Sequence, residues 1–223
     1  MSTFLLLWLV LALALLALAV AWRRRARVTK QLVTGATPQE LEPRWVAGFS
    51  LPGRLHYQRG HVWARLVSAD TAEVGLDDFA ARLLGNASRI DLPALGSRVA
   101  QGTRAARVRA GAGRSADLVS PVSGEVVAVN PLLASSPDFA VREPYGRGWL
   151  VRVRCDDADR DLRNLLSGRL AETWMEDARD ELELAIEDSQ SWHCRDGGDL
   201  APGYGSKLDH ATWRRLTRES FLT

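Results

Sequence analysis

From His56 onward the chain breaks into short β-type runs divided by glycine, proline and asparagine, and this restricts its fold more than any other feature. HVWARLV (61–67) and TAEVGL (71–76) flank Ser68-Ala69-Asp70 and read as a hairpin. The runs ARVRA, ADLVSPV, GEVVAV and WLVRVR follow at similar spacing. Strands of about four to six residues so divided build a small sandwich or barrel, because a parallel sheet would need crossover helices between them. Asp77 and Asp78 can cap a short helix over 77–84, DDFAARLL, which Gly85 then terminates. The expected class is mainly β with short helices.

Ahead of this region, Phe4 to Trp22 (FLLLWLVLALALLALAVAW) carries no charge. At about 1.5 Å per residue, a helix of that length just crosses a hydrocarbon core of about 30 Å. Residues 1–22 are therefore expected to be a transmembrane anchor. A cleaved signal peptide carries its positive charges before the apolar run, whereas here Arg23, Arg24, Arg25, Arg27 and Lys30 follow it. The positive-inside rule then puts the N-terminus outside and the rest of the chain in the cytoplasm, held at the inner membrane by a single pass.

Residues 23–55 read as a basic flank and linker, interrupted by Thr37-Pro38, Glu42-Pro43 and Leu51-Pro52-Gly53. Beyond the β region, residues 156–190 hold twelve acids against four arginines and read as an acidic helical segment. The extension 191–223 ends in LDHATWRRLTRESFL. Leu208, Trp213, Leu216 and Phe221 fall there at helical spacing, as in a short amphipathic helix docked on the barrel or on a partner.

SPVSGEVVAVNPLLASSPDFAVREPYGRGWLVRVR (120–154) closely resembles the C-terminal half of the glycine cleavage system H protein family, with its PVSGEV turn, Asn, Ser-Pro helix and PYGxGWL stretch. Upstream, His61-Val62-Trp63 resembles the family's HEW opening, and VGLDDFAARLLG its strand and helix after the first hairpin. The likeness covers roughly residues 57–155 and continues more weakly through DLRNLLSGRLAETWMEDARDEL. It implies a lipoyl-type barrel-sandwich hybrid over 56–155, with 109–116 as a protruding hairpin. Members of that family are non-catalytic carriers that swing a lipoyl arm between partner enzymes.

The arm is an amide between lipoate and a lysine amine at the hairpin tip. The corresponding stretch here is ARVRAGAGRSADLVSP, and it contains no lysine; Lys30 and Lys207 are the only two in the chain. Counting back from Pro121 puts the degenerate attachment position at Gly113, and counting forward from Val108 puts it at Ala112. A guanidinium stays protonated, so neither Arg109 nor Arg114 substitutes for the missing amine. The resemblance therefore implies a barrel without bound cofactor, lipoate being expected only if another site is used. Gly111 and Gly113 read as turn glycines.

Between Asp91 and Asp117 stand Arg98, Arg104, Arg107, Arg109 and Arg114 and no acid. This set reads as a solvated face, as a docking patch for an acidic protein or anionic lipid, or as a seat for the acidic segment 156–190. Arg109, Gly111, Gly113 and Arg114 are the candidate partner-binding residues. Nucleic acid is not expected, since no aromatics interleave the arginines. Catalytic residues are expected to be absent: His56, His61, His193 and His210 are scattered, and neither HExxH nor GxSxG occurs. His61 reads as a packing residue. Trp192-His193-Cys194 supplies too few ligands for a metal.

Three functions fit these residues: a membrane-anchored H-protein-like module without lipoate that binds a protein, such as a glycine cleavage or lipoate-handling enzyme; a carrier with an atypical site; or a periplasmic adaptor of the membrane-fusion type. ADLVSPVSGEV runs without the long helical insertion such adaptors carry, which weighs against the third.

Overall fold

The computed structural model describes residues 44–111, 113–188, 195–196, 199–200 and 203–221. The expected span Phe4–Trp22, its basic flank, Ala112 and the Trp192-His193-Cys194 cluster lie outside the described residues. Among the described residues, no helix is long and apolar enough to cross a membrane.

The described part opens with a small hairpin, β1 (Trp45–Val46) and β2 (Phe49–Ser50), and continues through β3 (His56–Gln58), β4 (Val62–Leu66) and β5 (Thr71–Leu76) into helix α1 (Asp78–Leu84). Strands β6 (Ala87–Asp91), β7 (Arg98–Val99), β8 (Arg104–Ala110), β9 (Ser115–Val119) and β10 (Gly124–Val129) follow. Two single-turn helices, α2 (Leu132–Ser135) and α3 (Phe139–Arg142), lead into β11 (Val151–Cys155). Helices α4 (Ala158–Arg163) and α5 (Gly168–Asp188), the two-residue strands β12 (Arg195–Asp196) and β13 (Asp199–Leu200), a 3₁₀ turn (Tyr204–Lys207) and α6 (His210–Phe221) complete the order.

One sheet runs β3-β4-β5-β11-β10-β7 and a second runs β6-β8-β9, all neighbours antiparallel. This is a mainly β structure with a few helices, as the short runs require. The central strand β5 is buried along its whole length, and its Ala72, Val74 and Leu76 are core residues while Glu73 is a buried charge. In β10 buried and half-buried positions alternate, the period-two signature of a strand with one face on the core. Asp77 accepts from Ala80 N at 2.8 Å and so caps α1, while Gly85 ends it with φ +71°.

Within residues 44–55, expected to belong to the linker, the apolar residues Val46, Phe49, Leu51 and Leu55 pack into the core. Phe49, Leu51 and Leu55 are 1%, 3% and 1% exposed. Their apolar positions are spaced irregularly around Pro52 and Gly53, so no period in the sequence announces them. Helix α5 buries Ala171, Met175, Ala178, Leu182 and Ala185 at helical spacing, and its acids Glu176, Asp177, Asp180 and Glu181 face outward.

Candidate functional site

The β8–β9 hairpin is closed by Ala110 N donating to Arg114 O at 2.8 Å and Arg114 N donating to Gly111 O at 3.3 Å. Residues 111–113 therefore form its tip. Gly113 has φ +71°, a left-handed conformation in which a side chain would be strained. A Cβ at Gly111 or Gly113 would meet nothing within 4 Å, so each of these two positions has room for a side-chain stem. Of the two attachment positions, Gly113 stands at this exposed tip, and Ala112 lies outside the described residues.

The arginines around the tip do not form one free basic patch. Arg109 is exposed and donates through Nε and Nη2 to Asp91 Oδ2 at 3.1 and 3.0 Å, and Arg89 reaches the same carboxylate at 2.7 Å. Arg107 grips Asp117 at 2.5 and 2.8 Å, with Arg104 at 3.4 Å. Hydrogen bonds from Arg89 and Arg109 hold the Asp91 carboxyl below the usual carboxylate range, and the bond from Arg107 does the same for Asp117. The two acids that bound the arginine run in sequence thus answer it across the strands. From the acidic segment, Asp156 pairs with Arg98.

Arg114, a candidate partner-binding residue, is covered by the chain itself. It is 7% exposed, its Nη2 donates to the Leu208 carbonyl, and its guanidinium carbon lies 5.2 Å from the centre of the Trp213 ring. Residues almost a hundred positions downstream cover it, which no local pattern reveals.

The motif residues hold the frame that presents this hairpin. A Cβ at Gly124 would stand 2.0 Å from the Arg154 carbonyl oxygen, so the PVSGEV turn needs glycine to let two backbones meet. Ser123 N donates to Asp161 Oδ2 at 2.5 Å, and Gln101 N donates to Ser123 Oγ at 3.0 Å. The Asn130 side chain donates to the carbonyls of Arg147 and Trp149 at 2.7 and 2.6 Å and accepts from Leu132 N at 3.1 Å. Tyr145 donates to the Ser50 carbonyl at 2.7 Å and accepts from Asp78 N at 2.9 Å, tying the PYGRGW stretch to β2 and α1. At Gly148 a Cβ would lie 2.2 Å from the Phe139 carbonyl oxygen.

His61 is buried, with Nδ1 2.7 Å from Asp77 Oδ2 and its ring stacked 3.9 Å from that of Phe79. It is a packing residue that joins β4 to the cap of α1. Burial pushes the half-buried Cys155 thiol up to about 11, which suppresses its thiolate. Sequence reasoning passes over the row Arg65, Glu73, Arg152, of which Glu73 and Arg152 are buried, although a glutamate inside the run TAEVGL is a visible signal of it.

A lipoyl group does not fit this hairpin. Its attachment requires an exposed primary amine, whereas Gly113 has no side chain, Arg109 is an ion-paired guanidinium and Arg114 is buried.

The model of the glycine cleavage H-protein family matches residues 55–178. The glycine cleavage system H protein of Aeromonas hydrophila is 41% identical over 116 residues, 52% of this chain and 88% of that protein. That of Escherichia coli is 37% identical over 128 residues, 57% of this chain and 98% of that protein. A crystal structure of a glycine cleavage system H protein from Mycobacterium marinum aligns at 27% identity over 51% of this chain and 98% of the other, with a TM-score of 0.44. With the matched region spanning more than half of its length, from before β3 into α5, this chain belongs to the glycine cleavage H-protein family.

Proposed function

We propose that this protein is a membrane-anchored, cytoplasm-facing H-protein-like module that carries no lipoate and acts by binding a protein partner. The observation that carries this reading is the hairpin tip, where a glycine with open surroundings stands in place of an amine and the neighbouring arginine is buried. The family's carriers work with glycine cleavage enzymes, and an enzyme of that system or one that handles lipoate is the partner class the shared frame supports. Anchoring rests on the uncharged run Phe4–Trp22 followed by Arg23, Arg24, Arg25, Arg27 and Lys30. No helical insertion separates β9 from β10, which leaves the membrane-fusion adaptor without support.

The family match also supports a second reading, a carrier with an atypical attachment site, for which Lys30 and Lys207 are the two lysines of the chain. Intact mass of protein purified from its own membranes separates the two. The expected mass is that of the bare polypeptide, and an increment matching a lipoyl amide would establish the carrier. A reporter fused after Thr223 is expected to be active in the cytoplasm. Activity confined to the periplasm would reverse the topology.

A further inference from the structure

The C-terminal segment 203–221 lies beyond the region matched by the family model, which ends at residue 178, yet it packs against the hairpin that carries the arm in that family. Its seat is built to close tolerance. Gly203 N donates to the Arg82 carbonyl at 2.8 Å, and a Cβ on Gly85 would lie 2.3 Å from Gly203 Cα. A Cβ on Gly205 would lie 2.0 Å from the Leu83 carbonyl oxygen. Tyr204, Leu208, Trp213, Leu216 and Phe221 are all at most 4% exposed. Asp209 begins α6 by accepting from the backbone of Ala211 and Thr212 at 2.8 and 3.0 Å.

The seal also contains a weak point. Arg114 Nε and Nη1 are buried without a hydrogen-bond partner, and no carboxylate pairs with this guanidinium among the described residues. A buried cation held by one carbonyl and a ring face disfavours the closed state relative to an apolar residue of the same shape. The contact is therefore specific in shape but biased toward release.

We propose that residues 203–221 are a cap, acting within the chain, that packs on β9 of the hairpin and closes it to enzymes that modify or read that hairpin. This rests on the assignment of Gly113 to the family's attachment position. Absence of the amine and coverage of the adjoining strand then act together, and a partner using this face must first displace α6.

Two readouts on the full-length chain test the cap. Trp213→Ala is expected to speed hydrogen exchange in residues 114–119 by about a hundredfold while β4 and β5 keep their protection, because a buried ring is lost from the cap alone. Unchanged exchange at 114–119, or equal loss throughout the core, would overturn a separable cap. Arg114→Met is expected to slow that exchange, and faster exchange would overturn the bias toward release. Gly113→Lys is then offered to a lipoate–protein ligase with lipoate and ATP, with and without Trp213→Ala. Modification at least about tenfold faster with the cap loosened supports the block, the same direction as the local opening. Equal rates overturn the block. No modification of either variant, with release visible by exchange and a relative's H protein modified in parallel, overturns the assignment of Gly113 and with it the blocking role.

Discussion

Replacing Glu73 with alanine is expected to destabilise the protein by about 3–5 kcal/mol, the range for breaking a buried ion pair on one side. Glu73 is fully buried in β5 and Arg152 in β11 is 1% exposed. Arg152 donates to Glu73 Oε2 through Nε and Nη2 at 2.8 and 2.6 Å, and Arg65 in β4 reaches Oε1 at 2.9 and 2.5 Å. One carboxylate thus bridges two guanidinium groups on the strands that flank β5. The Arg152 guanidinium also lies 4.6 Å from the Trp149 ring, so the row anchors the PYGRGW stretch to the sheet. Removing the carboxylate leaves Arg152 charged, dry and unpaired, since a guanidinium does not give up its proton in a protein interior. At about 2–4 °C per kcal/mol for a chain of this size, Tm should fall by roughly 10 °C. The double variant Glu73→Leu with Arg152→Met should recover much of the loss, because apolar replacements of similar volume remove the uncompensated charge. A Tm for Glu73→Ala within about 2 °C of the parent would show that the row contributes nothing.

Glycine decarboxylation reconstituted with this protein in place of an H protein is expected to proceed no faster than the reaction without any H component. A tethered arm presents its intermediate to each partner at an effective concentration of about millimolar order, and that advantage is lost entirely without a covalent attachment. No lysine lies between Lys30 and Lys207. The structure leaves Gly113 open and Arg114 covered, so no neighbouring group restores the bond. Free lipoate added to the assay should give at most a slow, concentration-dependent rate. Turnover that saturates with this protein at ordinary carrier concentrations would make it a carrier. Folding of the added protein is checked by its near-ultraviolet signal, to which the buried Trp63 and Trp213 contribute.

The local signals in the sequence determined a good deal by themselves. The period-two runs and the punctuation by glycine and proline made a small β structure the consistent outcome, since each signal acts over a few residues. The N-cap at Asp77 and the stop at Gly85 were legible for the same reason. Gly124 and Gly148 are visible as motif glycines, and the absence of lysine from the hairpin follows from reading the letters alone.

What only the tertiary structure decided concerns partners distant in the chain. Phe49, Leu51 and Leu55 show no period, and their burial comes from packing with elements that the linker pattern does not hint at. The arginine run around the hairpin reads as a basic face until antiparallel pairing sets Asp91 and Asp117 on either side of Arg107, with the Arg109 side chain reaching diagonally to Asp91. Arg114 reads as exposed until Leu208 and Trp213 arrive from 94 and 99 positions away. Local sequence sets backbone preference and the side-chain period, whereas the charge a surface presents depends on which residues the fold places across from one another. The hairpin's chemistry was therefore decided by contacts that no window of neighbouring residues contains.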